Sequence, residues 1–208
     1  MATAPQTDAA PIIGVSRHRM QTDGKGITTL VGFYGCPLRC QYCLNPQSFA
    51  PDTRVEQLTP AELYERTKID QLYFLATGGG VTFGGGEPLL YPQFLQSFRE
   101  LCGSNWNLCV ETSLNVPWET VEIAVSCINH FFIDCKDTAP EIYETYTGKS
   151  NAEMLQNLTR LSALIPPDRI TVRIPLIPGY NTDDDRRRSQ AFCESLGITG
   201  TDWFTYRT

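Results

Sequence analysis

"ITTLVGFYGCPLRCQYCLN", residues 27–45, decides how the rest of the chain is read. Its first half, "ITTLVGFYG" (27–35), is a short continuous apolar run rich in β-branched and aromatic residues, the pattern of a buried strand. Its second half carries three cysteines, Cys36, Cys40 and Cys43, at C-x3-C-x2-C spacing, just past the end of that strand. In parallel α/β folds, ligands gather at the C-terminal ends of the strands. The thiols therefore stand where such a fold puts its site.

Working outward, apolar runs alternate with helical patterns to the end of the chain. "TPAELYERTKIDQLYFLAT" (59–77) reads as one helix, with Thr59 as N-cap, Pro60 in the first position and Glu62 closing a capping box. "VTFGGG" (81–86) reads as a strand, and "PQFLQSFRELCG" (92–103) as a helix stopped by Gly103. A strand over 107–114, a helix over 117–129 and a strand over 131–136 follow. Two helical stretches, around 140–147 and 151–165, lead to a strand over 170–179. A helix over 182–197 has acids in its first turn, where the dipole favours them, and 201–207 reads as a last strand. Roughly six strand–helix units imply a parallel sheet covered by helices, either open and doubly wound or curved into a barrel. A complete eight-unit barrel takes about 250 residues. The fold class expected of this chain is α/β, as a partial (β/α)6 barrel with parallel strands.

Composition sets the outer limits. The chain has 208 residues, 41% of them hydrophobic, which suits one domain with a sizeable core. The first eleven residues, "MATAPQTDAAP", read as a disordered lead-in (1–11) to a single core domain (12–208). They lack a basic n-region and an apolar h-region, so no secretory signal is expected. No apolar run approaches the roughly 20 residues that span a bilayer, so no membrane partner is expected. The net charge of −6 argues against a nucleic-acid partner, and the local run Arg17-His18-Arg19 does not alter that. Eight cysteines without a secretory signal point to a reducing, cytoplasmic compartment. Cys102, Cys109, Cys127, Cys135 and Cys193 stand singly among apolar residues and read as core side chains.

The three clustered thiols read differently. A structural zinc site usually takes four ligands, and His18 and His130 are the only histidines available as a fourth. Three thiolates suit an iron–sulfur cluster. On a four-iron cube they leave one iron without a protein ligand and so open to a molecule that reacts.

C-x3-C-x2-C with Tyr42 just before the last cysteine resembles the motif of radical S-adenosylmethionine enzymes. The resemblance implies a [4Fe–4S] cluster held by Cys36, Cys40 and Cys43, whose open iron chelates the methionine amino and carboxylate groups. It implies reductive cleavage of S-adenosylmethionine to a 5'-deoxyadenosyl radical, on a partial (β/α)6 barrel. "GGGVTFGGGEP" (78–88) is, by its residues alone, backbone that a ligand can approach closely, ending in a carboxylate. Beside the cysteines it resembles the family's GGE segment, which implies cofactor-binding roles for Gly85, Gly86 and Glu87. With "TDGKGITTLVGFYGCPLRCQYCLNP" (22–46), it resembles the activases of glycyl radical enzymes, typified by pyruvate formate-lyase activating enzyme. The likeness runs over about residues 13–206. No room is left between Cys43 and Gly78 for a second cluster, so one is expected.

The same resemblance implies further site residues. "VETS" (110–113) and "IDCK" (133–136) look like the family's strand ends. Glu111 and Asp134 would then flank the S-adenosylmethionine site, with a monovalent cation near its carboxylate as a further expectation. Lys136 would reach S-adenosylmethionine or the substrate peptide, and Tyr42 would join the cofactor-binding set. Arg173 sits in a parallel strand, where a charge wants a partner such as a ligand carboxylate. Asp23 keeps the family identity in the region that meets the partner's glycyl loop. No catalytic residue is expected beyond the cluster ligands. The partners implied are a glycyl radical enzyme and a flavodoxin or ferredoxin as electron donor, in an anaerobic or microaerobic cytoplasm. The sequence departs from the activase pattern at Gly84 (often Ser), Lys25 (Pro), Thr28 (Arg), Leu44 (His), Glu111 (Asp) and Arg207 (near a usual His). Two other readings stay open. One is a radical enzyme acting on a small molecule or another peptide, and the other a non-catalytic iron–sulfur or zinc module.

Overall fold

The structure, a computed structural model, describes residues 9–20 and 22–206. Six strands run parallel in one sheet: β2 (Ile27–Phe33), β4 (Gly80–Gly85), β5 (Asn107–Thr112), β6 (His130–Asp134), β7 (Ile170–Leu176) and β8 (Thr201–Thr205). Two more, β1 (Ala10–Met20) and β3 (Glu56–Leu58), extend the β2 edge antiparallel, giving the order β3-β1-β2-β4-β5-β6-β7-β8. The helices are α1 (Pro60–Thr67), α2 (Gln71–Thr77), α3 (Pro92–Cys102), α4 (Trp118–Val125), α5 (Pro140–Thr147), α6 (Ala152–Leu164) and α7 (Asp183–Ser195). This is the partial barrel that the strand–helix count implied.

Alternation along the strands separates two faces. Val31, Phe33, Val81, Phe83, Leu108, Val110, Phe131, Ile133, Val172 and Ile174 are buried against the helices. Each such side chain stabilises the fold by about 1.5–3 kcal/mol relative to exposure. The intervening residues face the concave side: Thr82 and Gly84, then Glu111, Asp134, Arg173 and Asp202, one strand after another. In a parallel ladder, register fixes who meets whom. Asp134 stands across from Arg173, and Arg173 from Asp202. The five single cysteines are all buried, as core side chains should be.

Two elements differ from the sequence reading. The helix expected over 59–77 is broken by a 3-10 turn at Lys68–Asp70. Asp70 is fully buried there and accepts from Arg17 Nε at 2.7 Å and Arg17 Nη2 at 2.5 Å. His18 Nε2 lies 2.9 Å from the same carboxylate. The basic run at 17–19 stays at the surface but is paired, Arg17 and His18 with the buried Asp70 and Arg19 with Asp23. The capping box at Thr59 and Glu62 does form. Finally, the lead-in gives way to strand β1 by Ala10, and residues 1–8 lie outside the described residues.

Candidate active site

The loop after β2 is pinned by backbone bonds from several directions. Arg39 N and Gln41 N donate to the carbonyls of Thr147 and Tyr146, at the C-terminal end of α5, at 2.8 and 3.1 Å. Gly35 N donates to Ser48 O at 2.7 Å, and Arg39 Nη1 donates to the carbonyls of Cys36 and Leu38 at 2.6 and 2.7 Å. These bonds tie the loop to α5 and to the chain on either side of it. Cys36, Cys40 and Cys43 are half-buried and joined in no disulfide, and all three line a cavity of about 500 Å³ inside the barrel mouth. Burial, with a smaller push from Glu87, raises Cys36 to about 12. Burial raises Cys40 as well, against the pull of Lys136. Thiolates at these positions require a positive partner such as iron.

The second wall comes from β4. Gly85 and Gly86 line the cavity, yet their missing side chains serve the neighbouring strand. A Cβ on Gly86 would lie 2.1 Å from the Gly35 carbonyl oxygen, and one on Gly85 would lie 2.7 Å from Gly32 Cα. Gly85 also has φ +86°, a region that disfavours other residues. These glycines let the β4 end close against the base of the cysteine loop. Glu87 is almost completely buried and spent within the protein. It accepts from Thr112 Oγ1 at 2.7 Å, from Ser113 N at 2.9 Å, from Ser113 Oγ at 2.7 Å and from Leu89 N at 3.3 Å. Burial pushes its pKa up, and these donors pull against it. Glu87 ties the ends of β4 and β5 together and presents only its edge to the cavity. Thr112 and Ser113, which hold it, went unread as site residues, although the quoted "VETS" stretch contains them.

The floor is an alternating chain of charge. Arg173 Nη2 donates to Glu111 Oε1 at 2.7 Å, and its Nη1 lies 3.8 Å from Asp134 Oδ1. Lys136 Nζ donates to Asp134 Oδ2 and to the Tyr206 hydroxyl, both at 3.0 Å. Lys136 takes a left-handed backbone, φ +62°, which turns its side chain in from the end of β6. Burial works against its charge, but Asp134 and Tyr206 outweigh it and hold its pKa well above the usual lysine value. Burial likewise opposes ionisation of Asp134, and Lys136 and Arg173 override it, so its pKa is lowered. Burial raises Glu111, with Arg173 pulling the other way. Of the five N–H donors of a guanidinium, only the one to Glu111 makes a bond of hydrogen-bond length among the described residues. Donors therefore remain for a ligand carboxylate.

Glu111, Asp134, Lys136 and Arg173 come together with the cysteines around one cavity, as do Gly85, Gly86 and Glu87. Asp23 lines it too, but its carboxylate is held by Arg19 and only 5% of the residue is exposed. Tyr42 goes elsewhere: its ring packs edge-on against Tyr146 and Tyr180, and its hydroxyl donates to Pro178 O at 3.2 Å. Tyr206 was missed because nothing in "WFTYR" separates it from a packing aromatic. Arg207 lies outside the described residues. His18 is bound to Asp70, and His130 Nε2 is 2.9 Å from Thr171 Oγ1. Among the described residues, no three His, Cys, Asp or Glu side chains converge to enclose a single metal ion. A four-iron cube does not ask them to, because each thiolate binds a different iron. The spaced thiols, the closed glycine wall and the cavity volume fit a cluster with a ligand of S-adenosylmethionine's size beside it.

A parallel half-barrel with three thiols over a charged floor defines a class. The chain belongs to the radical SAM superfamily, whose family model matches residues 30–189. Curated relatives of this chain include activating enzymes. A pyruvate formate-lyase-activating enzyme of Staphylococcus aureus is 32% identical, over 84% of this chain and 72% of its own. The (2S)-3-sulfopropanediol dehydratase activating enzyme of Klebsiella oxytoca is 29% identical, over 86% and 74%. Among solved structures, SuiB of Streptococcus suis bound to S-adenosylmethionine superposes with a TM-score of 0.62 at 17% identity, over 84% of this chain. This chain spans only 39% of that protein, and the likeness is one of fold. The protein is a radical SAM enzyme, and its cofactors are those of the family, a [4Fe–4S] cluster and S-adenosylmethionine. Among the described residues no helix is long and apolar enough to cross a membrane.

Proposed function

We propose that this enzyme is an activase that places a radical on a glycine of a partner enzyme. The observation that carries the reading is the single cavity in which Cys36, Cys40 and Cys43 face the Glu111–Arg173–Asp134–Lys136 chain. The naming of its relatives as activating enzymes sets the direction. With both cofactors bound, the chemistry supplied is one-electron cleavage of the sulfonium, releasing methionine and a 5'-deoxyadenosyl radical that takes a hydrogen atom from a glycine Cα.

The chain's own residues bind, orient and exclude. Cys36, Cys40 and Cys43 hold the cluster and leave one iron to the ligand. Arg173 offers its remaining N–H donors to the methionine carboxylate. Lys136 keeps one ammonium proton beyond those given to Asp134 and Tyr206, and it lines the same cavity. Gly85 and Gly86 bring backbone to the ligand's edge, while Leu38, buried in the loop, closes the base of the cavity to water. Leu44, 73% exposed at the rim, is the apolar contact offered to a protruding glycyl loop. The electron comes from a flavodoxin or ferredoxin, in an anaerobic cytoplasm.

The test uses anaerobically reconstituted protein and a glycyl radical enzyme encoded beside it, one that ends in a short glycine-containing loop. Reduced cluster, S-adenosylmethionine and that partner are mixed and examined by electron paramagnetic resonance. The expected result is a glycyl doublet on the partner, absent when its loop glycine is replaced by alanine. Cleavage of S-adenosylmethionine without any doublet would refute the activase role and favour a small-molecule or other peptide substrate.

A further inference from the structure

Two departures from the activase pattern meet at one contact. Glu111 stands where activases usually carry Asp, and Gly84 where they often carry Ser. A Cβ at Gly84 would lie 2.7 Å from Glu111 Oε2 and 3.2 Å from Leu30 Cδ1. The extra methylene of Glu111 therefore occupies room that a side chain at position 84 would fill. That reach brings the carboxylate to Arg173, whose Nη2 donates to Glu111 Oε1 at 2.7 Å. The other terminal nitrogen, Nη1, lies 3.8 Å from Asp134 Oδ1. The guanidinium thus stands between the two carboxylates, and Phe132 covers it, 5.0 Å from ring centroid to Cζ.

Those are the carboxylates beside which the resemblance placed a monovalent cation. The local charges do not fit one. Each acid already has a resident base: Glu111 has Arg173, Asp134 has Lys136 at 3.0 Å, and Asp23 has Arg19. Asp202, across from Arg173 in register, is exposed to solvent. An alkali ion between Glu111 and Asp134 would lie against the Arg173 guanidinium, and among the described residues only Glu111 Oε2 and Asp134 Oδ1 of the two carboxylates accept no hydrogen bond. Those two oxygens are fewer than the several unspent oxygen ligands a hard cation takes.

We infer that the Arg173 guanidinium, held between Glu111 and Asp134 by the long Glu111 side chain that Gly84 admits, takes the place of the monovalent cation. S-adenosylmethionine then binds this protein without one. The inference rests on the reading of this cavity as the S-adenosylmethionine site, and its test separates the two.

Equilibrium dialysis of S-adenosylmethionine against the reconstituted full chain is run in sodium, potassium and choline chloride at equal ionic strength. Affinities within about twofold of each other are expected. A loss of about tenfold in choline, restored by sodium or potassium, would overturn the inference. A second arm needs no ligand: the melting temperatures of Gly84→Ser, Glu111→Asp and the double variant. Serine displaces the carboxylate that Glu111→Asp withdraws, so the double variant should lose less than the sum of the two. Additive losses would show that the positions do not share space and would defeat the mechanism. Absence of binding in all three salts would sink the site reading itself, while the melting temperatures still decide the Gly84–Glu111 coupling.

Discussion

Asp70, fully buried, and Glu111, half-buried, are both carboxylates paired with an arginine, and they do opposite jobs. Asp70 sits under the β1 edge with its oxygens taken by Arg17 and His18, and Thr29 Oγ1 approaches at 3.5 Å. It ends one helix, starts the next and fastens an antiparallel strand. Glu111 also holds an arginine, but that arginine keeps donors in hand and borders a cavity with three thiols. A charge network marks a site when it leaves donors unspent beside space a ligand can enter. Where every atom is matched within the protein, the network is structural.

The largest break in this contrast comes at the wall between the two halves of the site. Gly86→Ala puts a Cβ on the Gly35 carbonyl oxygen, which is backbone and cannot swing away. A cost of about 3 kcal/mol is expected, or about 6–12 °C in melting temperature. Cluster iron should be lost with it, measured by calorimetry and iron analysis. Gly14→Ala, where an added Cβ would meet nothing within 4 Å, is the control and should stay near wild type in both. Next is Arg173→Gln. It should weaken S-adenosylmethionine binding by about ten- to a hundredfold, the worth of charge-assisted bonds, in equilibrium dialysis.

Asp70→Asn should do the reverse. It is expected to lower the melting temperature by about 4–8 °C, from a loss of about 2 kcal/mol, and to leave ligand affinity unchanged. Arg17, then His18, hold the Asp70 carboxyl below the usual aspartate value despite its burial. A lowered folded-state pKa contributes stability above the unfolded value, near 3.9, and that stability is lost as pH falls further. The gap between wild type and Asp70→Asn should therefore be full at neutral pH and close as pH drops below about 4. The smallest effect belongs to Thr59→Ala, which removes the capping box. About 1 kcal/mol, or about 2–4 °C by calorimetry, is expected, with no change at the site.

Much of this was legible in the chain. The six parallel strands showed as apolar runs, and the cysteine spacing with "GGGEP" placed the site at their ends. What stayed hidden was mostly pairing. Strand β1 was read partly as lead-in because register shifts between Ile12 and Gly14, and between Ser16 and Arg19, disturb its period of two. The break at Lys68–Asp70 has no local breaker, since Asp70 turns away from capping to meet Arg17, some fifty residues earlier. Gly85 and Gly86 were read as backbone a ligand can approach; they do line the cavity, but the space of their missing side chains is taken by the neighbouring strand. Glu87 was read as part of the cofactor site; it lines the cavity, and the sequence did not show that its carboxylate also bolts β4 to β5. Composition cannot say which of two acids keeps a hand free; register and distance can.

The central claim is that the three thiols and the charged floor form one cofactor-cleaving site. It is tested most directly by reconstituting the protein anaerobically, reducing it with dithionite and adding S-adenosylmethionine. 5'-Deoxyadenosine is then quantified for the wild type and Cys40→Ala. Nucleoside from the wild type, and background from a Cys40→Ala protein that keeps its fold, is the result this structure calls for. A wild-type protein carrying its full iron that makes no nucleoside, even with the partner enzyme present, would contradict it.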